Sequence, residues 1–105
     1  MNVIAIGDEY FVTFFRLAGI RGIAAEGEEL GRKVKEIVEE GKYDAVIVSE
    51  KNLEGIEKVR NELLRTGRLY PIFIVVPDLS GATGKRLEEL YQMIALAVGV
   101  RLKLG

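Results

Sequence analysis

The run Val3-Ile4-Ala5-Ile6-Gly7 leads directly into Asp8-Glu9-Tyr10-Phe11-Val12-Thr13-Phe14-Phe15-Arg16-Leu17-Ala18-Gly19-Ile20. Its first residues are continuously apolar rather than alternating, which is the pattern of a strand covered on both faces of a parallel sheet. At the carboxyl end of such a first strand an enzyme commonly places a phosphate-cradling loop or a catalytic side chain. This chain places an apolar helix there. Phe11, Phe15 and Ala18 form one stripe of that helix, while Tyr10, Phe14 and Leu17 form a second. One inward side cannot absorb both stripes, so the second is expected to be covered by something else.

Working outward, the strand-then-helix pattern recurs three more times. Strands are expected over 22–26, 43–49 and 72–76. The third and fourth are again continuous apolar runs, so both of their faces are expected to be covered. The second is short, with Arg21, Gly22 and Glu26 around Ile23-Ala24-Ala25, and is placed at a sheet edge. A helix over 28–40 carries Leu30, Val34, Ile37 and Val38 on one stripe, has Glu28 and Glu29 where the helix dipole favours anions, and stops at Gly41. A helix over 51–66 carries Leu53, Ile56, Val59 or Arg60, Leu63 and Leu64, and ends at Gly67 in a left-handed cap. Strands alternating with helices of this length imply right-handed crossovers and a parallel sheet. The reading is an α/β, flavodoxin-like (receiver-like) three-layer sandwich with a four-stranded parallel sheet of order 2-1-3-4. Its first and third helices are expected on one face and its second on the other.

The remainder differs. Residues 78–82 read as a hinge after a sheet domain spanning 1–77, and 83–105 as a C-terminal helix and tail. The helix carries Leu87, Leu90, Tyr91, Ile94 and Val98 on one stripe. Leaving five such side chains in water would forgo roughly 7–15 kcal/mol, about the whole stability of a small domain. Periodicity leaves two covers open: the chain's own sheet or another protein.

Composition excludes much. With 105 residues, the chain is one ordinary domain able to bury a core without staples. Fifteen basic residues against sixteen acidic ones, without blocks of either, do not make the footprint of a nucleic-acid binder. Cysteine and histidine are both absent. That removes disulfides, thiolate sites and the commonest acid/base group and metal ligand. No apolar run reaches the length of a membrane span and no signal peptide is read, so a cytoplasmic protein without direct membrane insertion is expected. The charged fraction of 30% with few amide and sulfur residues is a mix seen in thermophiles.

Two motifs bear on chemistry. Gly81-Ala82-Thr83-Gly84-Lys85-Arg86 partly matches a phosphate loop, but Leu79 stands where that loop needs its first glycine and Arg86 where it needs a hydroxyl. Asp8-Glu9 resembles the acidic pair of receiver signalling domains, yet Ser49 stands at the acceptor position and no fifth strand is read to bring in a lysine. Glu50 could at best imitate a phosphorylated acceptor. Asp8 and Glu9 read instead as charges that start a helix. No catalytic, cofactor-binding or metal-ligating residue is assigned, and no cofactor is expected.

The opening Gly-Asp, followed by Thr13 and Phe15 to Ile20, resembles the F subunit of archaeal-type and vacuolar-type rotary ATPases, with Phe14 replacing the usual glycine. Val46 to Glu50, the proline-framed strand from Pro71 to Pro77, and Ala97-Val98-Gly99-Val100 extend the resemblance over nearly the whole chain. It implies a non-catalytic rotor subunit of the central stalk, peripheral at the inner face of the membrane. It also implies binding to the coiled-coil D subunit of the stalk, contact with the catalytic-head subunits, stimulation of ATP hydrolysis and coupling to proton or sodium transport. On that reading the C-terminal helix is mobile, and the partner interface comprises Tyr10, Phe14, Leu17, Leu87, Leu90, Tyr91, Ile94 and Val98. The alternative is a degenerate receiver-type domain that regulates a protein partner through the face near Asp8, Glu9 and Glu50.

Overall fold

The computed structural model describes residues 2–78 together with Lys85, Glu88, Glu89, Gln92, Met93 and Leu96. The elements run β1 (Val3–Gly7), α1 (Glu9–Leu17), β2 (Arg21–Ala24), α2 (Gly27–Glu40), β3 (Ala45–Ser49), a 3-10 turn (Glu50–Asn52), α3 (Leu53–Arg65) and β4 (Ile72–Val76). The four strands make an all-parallel sheet of order β2-β1-β3-β4, the topology expected from the sequence. In register, Ile6 lies between Ile23 and Val48, and Ile47 lies between Ala5 and Ile74.

Two apolar clusters flank the sheet. On one side Ile4, Ile6, Val46 and Val48 pack with Leu30, Val34, Ile37 and Val38 of α2 and with Ile56 and Leu63 of α3. On the other, Ala5, Ile47 and Val76 pack with Phe11, Val12 and Phe15 of α1. The expected pairing of the first and third helices on one face is therefore wrong: α2 and α3 share a face, and among the described residues α1 is the one helix on the other. A right-handed crossover puts its helix on the side dictated by the direction in which the chain moves along the sheet. The step from β1 to β2 runs one way, whereas those from β2 to β3 and from β3 to β4 run the other.

Further corrections are local. The strand expected over 22–26 spans Arg21–Ala24, and the one over 43–49 begins at Ala45. The third helix starts at Leu53, because Ser49 and the 3-10 turn take up the residues before it. Leu64 is exposed although periodicity put it inside: of the adjacent pair Leu63-Leu64, only one can face the sheet. β4 is also not covered on both faces, since Ile72, Phe73 and Ile74 are half-buried and Val75 is exposed. It lies last in the sheet order, where its helix partner reaches only part of it.

Two glycines let α1 lie close. A Cβ on Gly7 would come within 2.8 Å of the Phe11 ring, and one on Gly22 within 3.0 Å of the Val12 Cβ. On the opposite face a Cβ on Gly31 would sit 3.4 Å from the Gly55 carbonyl, so α2 and α3 meet where neither has a side chain.

Candidate functional site

The carboxyl ends of β1 and β3 hold the acidic residues singled out in the sequence. Asp8 is the N-cap of α1, its Oδ1 accepting from the Phe11 amide at 2.8 Å. Its Oδ2 takes the Lys51 ammonium in an ion pair. That ammonium, helped by the Phe11 amide, holds the Asp8 carboxyl below the usual carboxylate range against the opposing effect of partial burial. Asp8 in turn raises the Lys51 ammonium above its ordinary value. Ser49, fully buried, accepts from the Lys51 amide at 3.4 Å, and Glu50 Oε1 accepts from the Asp78 amide at 3.3 Å. The carboxylates of Asp8 and Glu50 thus have structural roles, the first capping a helix and the second tying down the chain after β4. Glu9 lies in the first turn of α1 and pairs with Arg16 at 3.6 Å.

The outer side of α1 is apolar. Leu17 is 85% exposed and Tyr10 55%. Phe14 is half-buried: its ring stands edge-on to Phe15 with centroids 5.1 Å apart, and Phe15 in turn packs against Phe11 at 4.9 Å. The second stripe of the sequence reading is therefore divided, with Tyr10 and Leu17 outward and Phe14 bridging to the core. Arg16 fixes this orientation. Its Nε and Nη2 donate to the Gly22 carbonyl at 3.2 and 2.9 Å, pinning the last turn of α1 to β2 and leaving the neighbouring Leu17 in water.

A second exposed apolar group was not read from the sequence. Leu64 (73% exposed), Leu69 (82%) and Tyr70 (51%) surround the connection from α3 to β4, with Arg65 and Arg68 beside them in sequence. Arg68 reaches back to the Val38 carbonyl at 3.4 Å. The available signal was Leu69-Tyr70 in a connection too short to fold over them. Leu87, Leu90, Tyr91, Ile94 and Val98, and hinge residues 79–82, lie outside the described residues. Lys85, Glu88, Glu89, Gln92, Met93 and Leu96 are helical and exposed.

A groove of about 870 Å³ follows the seam between α2 and α3. Glu28, Arg32, Lys35, Glu54, Lys58 and Glu62 line it with alternating sign, as on a solvated helix pair, and converge on no point. Among the described residues, no three His, Cys, Asp or Glu are arranged to hold a metal, and no helix is long and apolar enough to cross a membrane. The described surface stands out for its exposed apolar side chains on α1 and around the connection from α3 to β4.

Comparison with known proteins gives the family. The family model of the ATP synthase (F/14-kDa) subunit matches residues 3–94. The chain is also similar to the F subunit of the A-type ATP synthase of Methanothermobacter thermautotrophicus, with 28% identity over 103 residues, covering 96% of this chain and 95% of that protein.

Proposed function

This chain belongs to the family of the ATP synthase (F/14-kDa) subunit, and on that premise we propose that it is a non-catalytic rotor subunit of the central stalk of an archaeal-type enzyme. It binds the coiled-coil D subunit of the stalk, helps couple ATP synthesis or hydrolysis to proton or sodium transport, stimulates hydrolysis by the catalytic head, and sits peripherally at the inner face of the membrane. The observation that carries the reading is the outer side of α1. Tyr10 and Leu17 are large, apolar and exposed on a helix whose other side is locked to the sheet by Phe11, Val12 and Phe15. A rigid patch meets a permanent partner with little ordering cost, and the two residues stand seven apart, a spacing that follows the ridge of a coiled coil.

In this scheme 1–77 anchors, 78–82 is the hinge, and the stripe Leu87, Leu90, Tyr91, Ile94 and Val98 makes the state-dependent contact with the head. The receiver-type alternative draws no support from Asp8, whose carboxylate is already engaged by a helix N-terminus and by Lys51. The test is calorimetric binding of the coiled-coil partner to the chain carrying Tyr10→Ala and Leu17→Glu. Affinity should fall at least tenfold, about 1.4 kcal/mol or more, while thermal unfolding of the free chain stays within a few degrees. Unchanged affinity would assign the anchor to another surface.

A further inference from the structure

We infer that the connection from α3 to β4 is a second protein-docking surface, which takes an acidic segment of another subunit against its arginines and its exposed Leu64, Leu69 and Tyr70. Large apolar side chains scattered singly over a surface are ordinary. Here three fall within residues 64–70, all of them exposed. The backbone that presents them is fixed. Gly67 closes α3 with a left-handed φ of 76°. The Arg68 amide and the Thr66 hydroxyl both donate to the Leu63 carbonyl at 3.1 Å, and the Ile72 amide donates to the Asp44 carbonyl at 2.8 Å. Side chains on a backbone held this way meet a partner without the cost of ordering a loop.

The charge says what covers them. Arg60 stands four residues before Leu64, on the same side of α3, and Arg65 and Arg68 follow. Among the described residues none of the three pairs with a carboxylate; Arg68 donates to the Val38 carbonyl instead. Glu62 is the one acidic residue from 60 to 77, and it lines the groove toward α2. Two residues from Leu64, it points to nearly the opposite flank of the helix. The surface is therefore apolar and positive, and an unpaired guanidinium is best met by a carboxylate.

Two other occupants fit less well. A second copy of the chain, meeting this surface about a two-fold axis, would set the three arginines against their own counterparts. An anionic membrane is read by clusters of about 4–8 basic residues, more than this surface holds. Protein interfaces concentrate tyrosine and arginine and are poor in lysine, and residues 59–77 contain no lysine. The surface is also separate from the outer side of α1. The two helices pack on opposite faces of the sheet, and Arg16 ties α1 to β2 at one edge whereas this connection enters β4 at the other. With strands ~4.8 Å apart, the edges lie roughly 14 Å from each other. One chain can thus hold a partner on each side.

The test uses the full chain with Leu69→Cys, whose thiol is unique because the sequence has no cysteine, carrying an apolar, environment-sensitive fluorophore. It is added to the ATP synthase assembled without this chain. Anisotropy reads binding and a blue shift of emission reads burial of position 69; both are expected. Arg65→Glu should weaken the blue-shifted complex about tenfold. Arg65→Lys should keep it and let carbodiimide join the amine at that position to a carboxylate of another subunit. Both variants should unfold at the parent's temperature, since Arg65 is exposed. Anisotropy that rises without a blue shift would overturn the inference and leave the role of α1 standing, whereas no rise at all would overturn both. A blue shift that survives Arg65→Glu, that grows with concentration of the chain alone, or that phosphatidylglycerol vesicles produce in place of the complex would overturn the inference equally.

Discussion

On one side of the sheet two helices share the cover, and they touch each other where Gly31 faces Gly55; on the other, among the described residues, nine-residue α1 is the one helix and fills its side with Phe11, Val12 and Phe15. The two-helix side repeats small aliphatic units and keeps its polar residues outward. The single-helix side packs its aromatic rings against one another and leaves Tyr10 and Leu17 outside. The difference follows from topology. With no described helix beside it, α1 leaves Tyr10 and Leu17 exposed at its flanks, whereas α2 and α3 cover part of each other's sides.

The largest effect that would break this comparison is the loss of a ring. If α1 completes a true half of the core, Phe15→Ala should cost about 3–5 kcal/mol, no less than Ile56→Ala at about 2–5 kcal/mol. Both are fully buried, and urea unfolding followed by circular dichroism reads the two directly. A loss below about 1 kcal/mol for Phe15→Ala would make α1 an appendage to a domain held by the other side.

The next effect concerns what pins the start of α1. Removing the cap with Asp8→Ala should cost about 1 kcal/mol at neutral pH. Asp8 also gives this corner its pH dependence. Because its folded carboxyl is held below the unfolded value of ~3.9, its stabilisation is complete above that value and is lost as pH falls through the folded one. The gap in unfolding free energy between the parent chain and the alanine variant, full at neutral pH, should therefore narrow as pH is lowered step by step below the unfolded value. A gap that stays constant throughout the acid range would mean that the Lys51 ion pair contributes nothing to holding α1.

The smallest effect sharpens the two-helix side and has the opposite sign. A Cβ on Gly55 would meet only the Leu30 Cδ2 at 4.0 Å, an ordinary contact. Gly55→Ala should thus stabilise by about 0.5–1 kcal/mol through helix propensity, seen as a rise in the thermal midpoint. A destabilised variant would show that α2 and α3 close more tightly at that crossing than their separation implies.

Much of this architecture was legible. The continuous runs at 3–7, 43–49 and 72–76 marked parallel strands, since strands covered on both faces read as unbroken apolar runs, although β4 is covered only in part. Gly41 and Gly67 marked two helix ends, and both have the positive φ that favours glycine. Asp8 was read as a helix start and is one. The division of the Tyr10, Phe14 and Leu17 stripe was not legible, because periodicity gives a side chain's direction without telling how far a neighbouring ring, here Phe15, reaches across. Leu64 and the Leu69-Tyr70 pair escaped for a related reason: an apolar residue in the sequence carries no mark of whether a strand lies beneath it.

By itself, then, the amino-acid order determined the elements and their parallel sense, because these rest on local periodicity and on glycine and proline punctuation. It also carried enough of the family pattern to identify the chain as an ATP synthase (F/14-kDa) subunit. Only the tertiary structure decided that α1 is, among the described residues, the one helix on its face, that Arg16 holds the Gly22 carbonyl while Leu17 beside it is exposed, and that Val75 of β4 is exposed. Those outcomes depend on contacts between residues far apart in the chain, and a one-dimensional pattern fixes the direction of a side chain but not what stands opposite it.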